Sequence, residues 1–264
     1  MSAEERQDQP PKVLIAGARG RLGRAVAEVL HADFALRQLD DAPLEGGESV
    51  ETCAGSLLNA ADAARAVRGV DAVIHTGDPP DDLPVAGIER ERALLDLATR
   101  GTYNLCHAAV EAGVRRLVFA STLHLFDPYP DDLNIDTTFR PRPSTEIEPM
   151  TRFLGEQTCQ QFARNHKFTV TVLRFGTLVR VGETAPQTVR APWLDVRDAA
   201  AGCRGALKFD DSDAPTWIPR WRVFHVCARE GGSRFYCDVS KALSFELRHR
   251  FEQPGPPRTK ARDA

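Results

Sequence analysis

Short apolar runs alternate with segments of helical period from residue 12 onward. Residues 13–16 form an apolar run ending at a glycine and read as a buried strand, and 22–30 carry apolar side chains at helical spacing. Residues 35–39 read as a second strand closing on Asp40 and Asp41. A loop rich in Gly and Glu leads to a short helix at 60–67. Residues 71–75 (DAVIH) and 116–120 (RLVFA) read as buried strands on either side of a long helix at 89–112. Beyond Ser121 the alternation breaks. Residues 124–147, full of Asp, Pro and Arg, read as a long loop. A helix over 149–165 follows, with Pro149 in its first position. Residues 169–175 read as a strand, 176–194 as irregular chain, 195–209 as a helix, 222–227 as a late strand and 238–247 as a last short helix. Buried strands alternating with helices predict an α/β fold, a doubly wound parallel sheet with a small C-terminal lobe. The polar ends, 1–11 and 254–264, are expected to be disordered, which leaves 12–253 as one domain.

Composition narrows the classes. At 42% hydrophobic and 27% charged, the chain has a globular rather than a disordered make-up. A net charge of −3 supplies no basic field for nucleic acid. No apolar run approaches the ~20 residues of a membrane span, and the polar start lacks a signal-peptide core. The expected location is the cytoplasm. Six scattered cysteines show neither C-x-x-C nor zinc spacing, so they read as reduced and mostly buried, and no metal site is expected.

The chemistry starts in the first strand-to-helix turn. Gly17, Gly20 and Gly23 follow a strand and open a helix, with Arg19, Arg21 and Leu22 between and beside them. The first glycine permits the tight turn, the second lets the backbone approach a pyrophosphate, and the third lets the helix pack on the sheet. An acidic residue at the end of the next strand, about 20 residues on, is where a ribose diol would be held. Asp40 is the better candidate and Asp41 the alternative. A carboxylate there repels a 2′-phosphate, so NAD is expected over NADP, although Arg19 and Arg21 oppose that preference. The spacing predicts a Rossmann fold; a tight turn that binds nothing is the competing reading.

The stretches GARGRLG, GSL, GVDAVIHTG and GTYNL–AAVEAGVRRLVFAST follow one another in the order of the extended short-chain dehydrogenase/reductase family, of NAD-dependent epimerase/dehydratase type, which this chain resembles from about residue 12 to 206. FASTLHLFDPYP (119–130) is most similar to the uronate dehydrogenases. The resemblance implies a dehydrogenase or epimerase acting on a sugar or sugar acid. It places Ser56, Leu57 and Thr76 along the cofactor, with Ser56 where the family carries an acidic residue near adenine. Thr122 takes the place of the hydroxyl that polarises the substrate. His124 and Arg190 take places that hold a sugar acid. The substrate-side elements are expected mainly from 124–147 and 176–235. The resemblance further implies pairing of two copies through helices 89–112 and 149–165, as a homodimer with a four-helix contact.

One family feature is absent. The chain has only three tyrosines, Tyr103, Tyr129 and Tyr236, and none has a lysine four residues on; no lysine occurs between Lys12 and Lys167. The Tyr-x-x-x-Lys pair is therefore missing, with Glu148 and Arg152 in its places and Ala98 at the helix Asn of the proton relay. Glu148 reads either as a replacement acid/base or as a helix N-terminal charge paired with Arg152, and the second reading is the simpler. Arg152 is suited to donating to cofactor ribose hydroxyls. His124, with an unperturbed pKa near 6.5, reads as a replacement acid/base or as a hydrogen-bonded structural residue. Thr122 either polarises the reacting oxygen or only closes a strand. Arg174 reads as structural. Two functions stay open: an oxidoreductase with a non-standard acid/base, or a non-catalytic dinucleotide-binding or regulatory protein.

Overall fold

The computed structural model describes residues 10–44, 50–79, 83, 86–182, 192–209, 220–228, 233–237 and 242–251. Seven parallel strands form one sheet in the spatial order β3-β2-β1-β4-β5-β6-β9. They are β1 (Lys12–Ala16), β2 (Ala35–Asp40), β3 (Val50–Ala54), β4 (Ala72–His75), β5 (Arg116–Thr122), β6 (Thr169–Phe175) and β9 (Trp221–Val226). The helices are α1 (Arg21–Leu30), α2 (Ala60–Val67), α3 (Ile88–Asp96), α4 (Thr102–Glu111), α5 (Ile147–Asn165) and α6 (Val196–Lys208). This is the expected doubly wound α/β sheet.

Side chains alternate across the sheet, as the pleat requires. In β1, Val13 and Ile15 face a core shared with Leu22, Val26 and Leu30 of α1 and Ala199 and Cys203 of α6. Leu14 and Ala16 face the other layer, with Ala63 and Ala66 of α2, Leu105 and Ala109 of α4, and Cys159 and Phe162 of α5. Leu14, Ile15, Leu22 and Leu30 are fully buried. Each such side chain contributes about 1.5–3 kcal/mol through water exclusion. A third cluster, Leu123, Leu125, Phe126, Ile135, Cys227, Phe235 and Cys237, closes the carboxyl-end side of the sheet.

Several elements differ from the sequence expectation. β3 falls in and after the expected loop; its side chains are mostly exposed, and it is held by backbone pairing to β2 at the sheet edge. The expected long helix at 89–112 is α3 and α4 joined by a π-helical turn, Leu97–Gly101. The loop at 124–147 is preceded and entered by a 3-10 turn, Leu123–Phe126. α5 starts two residues early, which puts Pro149 third in the helix; its missing N–H is still harmless there, because first-turn amides have no helical partner. The stretch 176–194 is not wholly irregular, since β7 (Thr177–Val179) and β8 (Trp193–Asp195) pair in parallel. The last expected helix stops short: helical geometry ends at Leu243, Ser244 takes φ 51, and 245–251 has no regular structure. Residues 238–241, positions 1–9 of the expected disordered start 1–11, and the expected disordered end 254–264 lie outside the described residues.

Candidate functional site

The turn after β1 is built as its glycines require. Gly17 has φ 82, in the left-handed region, and donates to the Leu39 carbonyl at 3.0 Å, which folds the loop over β2. Thr76 Oγ1, at the end of β4, donates to the carbonyls of Ala16 (3.1 Å) and Gly17 (3.2 Å) and fixes the loop to the middle of the sheet. At the end of β2, the buried Asp40 accepts from the Arg19 amide at 2.8 Å and the Asp41 amide at 3.1 Å, whereas Asp41 itself is exposed. Arg21 Nη1 donates to the Leu178 carbonyl of β7 at 3.3 Å.

A narrow cleft runs from Asp40, past Gly17, Ser56 and Leu57, to Gly77, Asp78 and Arg152. Ser56 is locked locally: its amide donates to Asp62 at 3.1 Å, and its Oγ accepts from the Leu58 amide at 3.2 Å. At the other end the cleft opens into a wider cavity of about 470 Å³, lined among others by Arg21, Leu22, Thr76, Thr122, His124, Glu148 and Arg152. Cofactor-side and catalytic candidates therefore meet at the carboxyl ends of β4, β5 and β6. That is where doubly wound sheets bind ligands.

Arg152 lies across that rim. Its Nη1 donates to the carbonyls of Thr76 (2.6 Å) and Ala120 (3.1 Å), and its Nη2 faces Asp78 Oδ1 at 3.5 Å. The expected Glu148–Arg152 pair is thus replaced by Asp78–Arg152. Two sheet-end carbonyls and a part-buried carboxylate outcompete Glu148, which is exposed in the first turn of α5. Beneath the rim, burial, and secondarily the charge of Arg152, push His75 down to about 3, so it is neutral. Its Nδ1 accepts from the Gly77 amide at 3.3 Å, and its Nε2 donates to Thr102 Oγ1 at 3.1 Å.

Thr122 ends β5 and caps the following 3-10 turn, its Oγ1 accepting from the His124 amide at 3.2 Å. The cap places His124 in the cavity. His124 Nδ1 meets Asp127 Oδ2 at 2.8 Å, and Nε2 meets Thr177 Oγ1 at 3.0 Å. With a carboxylate on Nδ1, the neutral ring carries its proton there and leaves Nε2 as the acceptor. The hydrogen bond to Asp127 holds the His124 pKa above its ordinary value; burial opposes this, and Glu148 and Glu146 add to it from the helix side. The imidazole is thus held in one orientation by partners on both ring nitrogens.

Ser121, one residue before Thr122, faces the opposite way. It donates at 2.6 Å to Glu156, which pairs with Arg174 through two bonds of 2.9 and 2.7 Å. Arg174 is therefore held in a structural ion pair, as expected, and Ser121 and Thr122 both border the cavity, with the Ser121 proton given to Glu156. Arg190 lies outside the described residues. Sequence reasoning missed Asp78, Asp127 and Thr177. Only Asp127 left a signal, a carboxylate three residues after His124 across a short turn. Among the described residues no cluster of His, Cys, Asp or Glu is arranged to hold a metal, and no helix is long and apolar enough to cross a membrane.

Comparison with known proteins agrees with this geometry. Residues 13–191 match the model of the NAD dependent epimerase/dehydratase family. An L-arabinose 1-dehydrogenase (NAD(P)(+)) of Haloferax volcanii is 28% identical over 228 residues, 77% of this chain and 85% of that protein. A uronate dehydrogenase of Pseudomonas putida is 28% identical over 197 residues, 71% of this chain and 68% of that protein. The crystal structure of a glucuronic acid dehydrogenase from Chromohalobacter salexigens superposes with a TM-score of 0.75 at 24% identity, covering 92% of this chain and 86% of that one. A glycine loop tied to the sheet centre, a carboxylate at the end of the second strand and a cavity above the fourth to sixth strands coincide with a family match over most of the chain: it is a member of the NAD dependent epimerase/dehydratase family.

Proposed function

We propose that this protein is an NAD-dependent dehydrogenase of a sugar or sugar acid that moves the proton with His124 and Asp127 in place of the missing tyrosine. The observation that carries the reading is that Thr122, the His124–Asp127 pair and Arg152 line one cavity continuous with a cleft ending at Asp40. The relatives that oxidise arabinose and uronates support the substrate class.

NAD, when bound, supplies the hydride acceptor. Gly17, Gly20, Gly23 and the amide of Leu22 would hold its diphosphate, and Asp40 its adenosine ribose. Ser56 and Leu57 flank the adenine end, while Thr76 and Arg152 lie toward the nicotinamide ribose. The Asp40 carboxylate disfavours a 2′-phosphate, and Arg21 reaches the Leu178 carbonyl. In the oxidising direction the substrate hydroxyl bonds to Thr122 and replaces Thr177 at His124 Nε2, which takes its proton as the carbon loses hydride. Asp127 stabilises the imidazolium that results. Glu148 acts through its field on His124. Arg190 is the proposed anchor for a substrate carboxylate. The oriented His–Asp pair favours this reading over a non-catalytic dinucleotide binder.

Two copies are proposed to pair through α4 and α5, where Tyr103 is half exposed against His107 and Phe162. The six free thiols fit a cytoplasmic setting.

The test is NADH formation across aldoses and uronates with the wild-type protein, Thr122→Ala and His124→Ala. His124→Ala is expected to lower turnover about 100-fold or more and Thr122→Ala about tenfold. Turnover that survives both substitutions unchanged discards this site.

A further inference from the structure

A carboxyl group already occupies the start of α1; burial raises its pKa, and Arg152 and the Leu22 and Gly23 amides oppose this. The Asp78 carboxylate, one residue past the glycine that follows β4, lies against the glycine loop, its Oδ2 accepting from the Leu22 amide at 3.3 Å. The Gly23 amide bonds to it as well. These are first-turn amides without helical partners, the groups that would bind a phosphate. The open space beside Gly20 is filled by the same side chain; a Cβ on Gly20 would overlap the Asp78 carboxyl group. Arg152 Nη2 faces the other carboxylate oxygen at 3.5 Å, while its Nη1 is anchored on two sheet-end carbonyls. The Asp78 amide bonds to Thr76 Oγ1 at 3.2 Å, which fixes the backbone that carries it. Only 18% of the Asp78 side chain is exposed.

We propose that Asp78 is the residue that sets dinucleotide affinity in this protein: its carboxylate stands where the cofactor's diphosphate would sit, and it must turn out of the glycine loop before a dinucleotide seats. The proposal rests on the cofactor reading above and goes beyond it. A diphosphate and an ionised carboxylate cannot share the Leu22 and Gly23 amides, because like charges a few ångströms apart in a poorly solvated site repel strongly. Binding is therefore an exchange of one anion for another. Arg152, released from Asp78, becomes a cation facing the incoming phosphates and the ribose beside them. With its backbone held at Thr76, Asp78 turns out by rotation of its side chain.

The experiment measures adenosine, ADP and NAD binding to the full chain, by ligand-observed NMR for adenosine and calorimetry for the other two. The forms compared are wild type, Asp78→Asn and Asp78→Ala; the isosteric Asn variant keeps the shape of the site and guards against misfolding. ADP and NAD are expected to bind both variants about tenfold tighter or more, as loss of a charged hydrogen-bonding competitor implies, with adenosine unchanged. Equal or weaker ADP and NAD binding by the variants overturns the proposal. So does an equal gain for adenosine, which would mean general loosening of the cleft. If none of the three ligands binds any form, the cofactor reading itself falls and the proposal with it.

Discussion

His124 and Asp127 carry the first consequences at the scale of single residues. The bond to Asp127 raises the His124 pKa, and oxidation of an alcohol needs the neutral ring. The rate is therefore expected to rise with pH through a midpoint above the ordinary histidine value. Asp127→Asn is expected to move that midpoint to lower pH, read from kcat/KM against pH. The same linkage has a stability sign: a raised folded-state pKa stabilises fully below the unfolded value, and this contribution fades as pH rises through the folded one. The buried Ser121–Glu156–Arg174 group makes a second case. Glu156 and Arg174 are 1% and 4% exposed, so Glu156→Ala leaves an uncompensated buried guanidinium. A loss of about 3–5 kcal/mol is expected in urea unfolding. Such partners were illegible in the sequence because they are distant in it. Leu22 and Asp78 are 56 residues apart, and His124 and Thr177 are 53 apart. Gly17, Asp40 and Thr122 were legible because a local motif or an ordered stretch of likeness specified each one.

At the scale of elements, apolar runs identified β1, β4, β5 and β6 because both faces of those strands are covered. β3 carried no such signal: VETCA is mostly exposed at the edge, and its order comes from hydrogen bonds to β2, which composition does not report. The small β7–β8 pair was equally silent, each strand having three residues. Asp195 joins that pair to α6. Its carboxylate caps α6 by accepting from the Arg197 amide at 2.9 Å, accepts from the Val181 amide at 2.8 Å and pairs with the Arg197 side chain. Burial alone would raise its pKa, but Arg197 and the two amides outweigh this and hold it well below the usual carboxylate range. Its contribution is therefore present above the unfolded carboxylate value and is lost as pH falls toward the folded one. Asp195→Ala is expected to cost about 1–2 kcal/mol through the lost cap, seen as a Tm lower by a few degrees at neutral pH, with the difference shrinking in acid.

For the whole molecule, the two cores on opposite faces of the sheet leave α4 and α5 packed on each other with Tyr103 at their outer edge. If two copies meet there, the wild-type chain sediments as a dimer, and Tyr103→Glu, which sets like charges across the contact, sediments as a monomer with its fold unchanged by circular dichroism. A wild-type mass that stays monomeric at all concentrations removes the dimer.

The exposure of Asp127 has a consequence for how protons reach bulk water. The side chain is 54% exposed, and its histidine partner 37%. On the proposed chemistry, a proton taken by the imidazole stands one hydrogen bond from the solvent. If Ala98 holds the place of the family's relay asparagine, as the resemblance implies, it offers no polar side chain for an internal route. Small buffer bases then have direct access to the proton-carrying pair, so the medium itself becomes a participant in turnover.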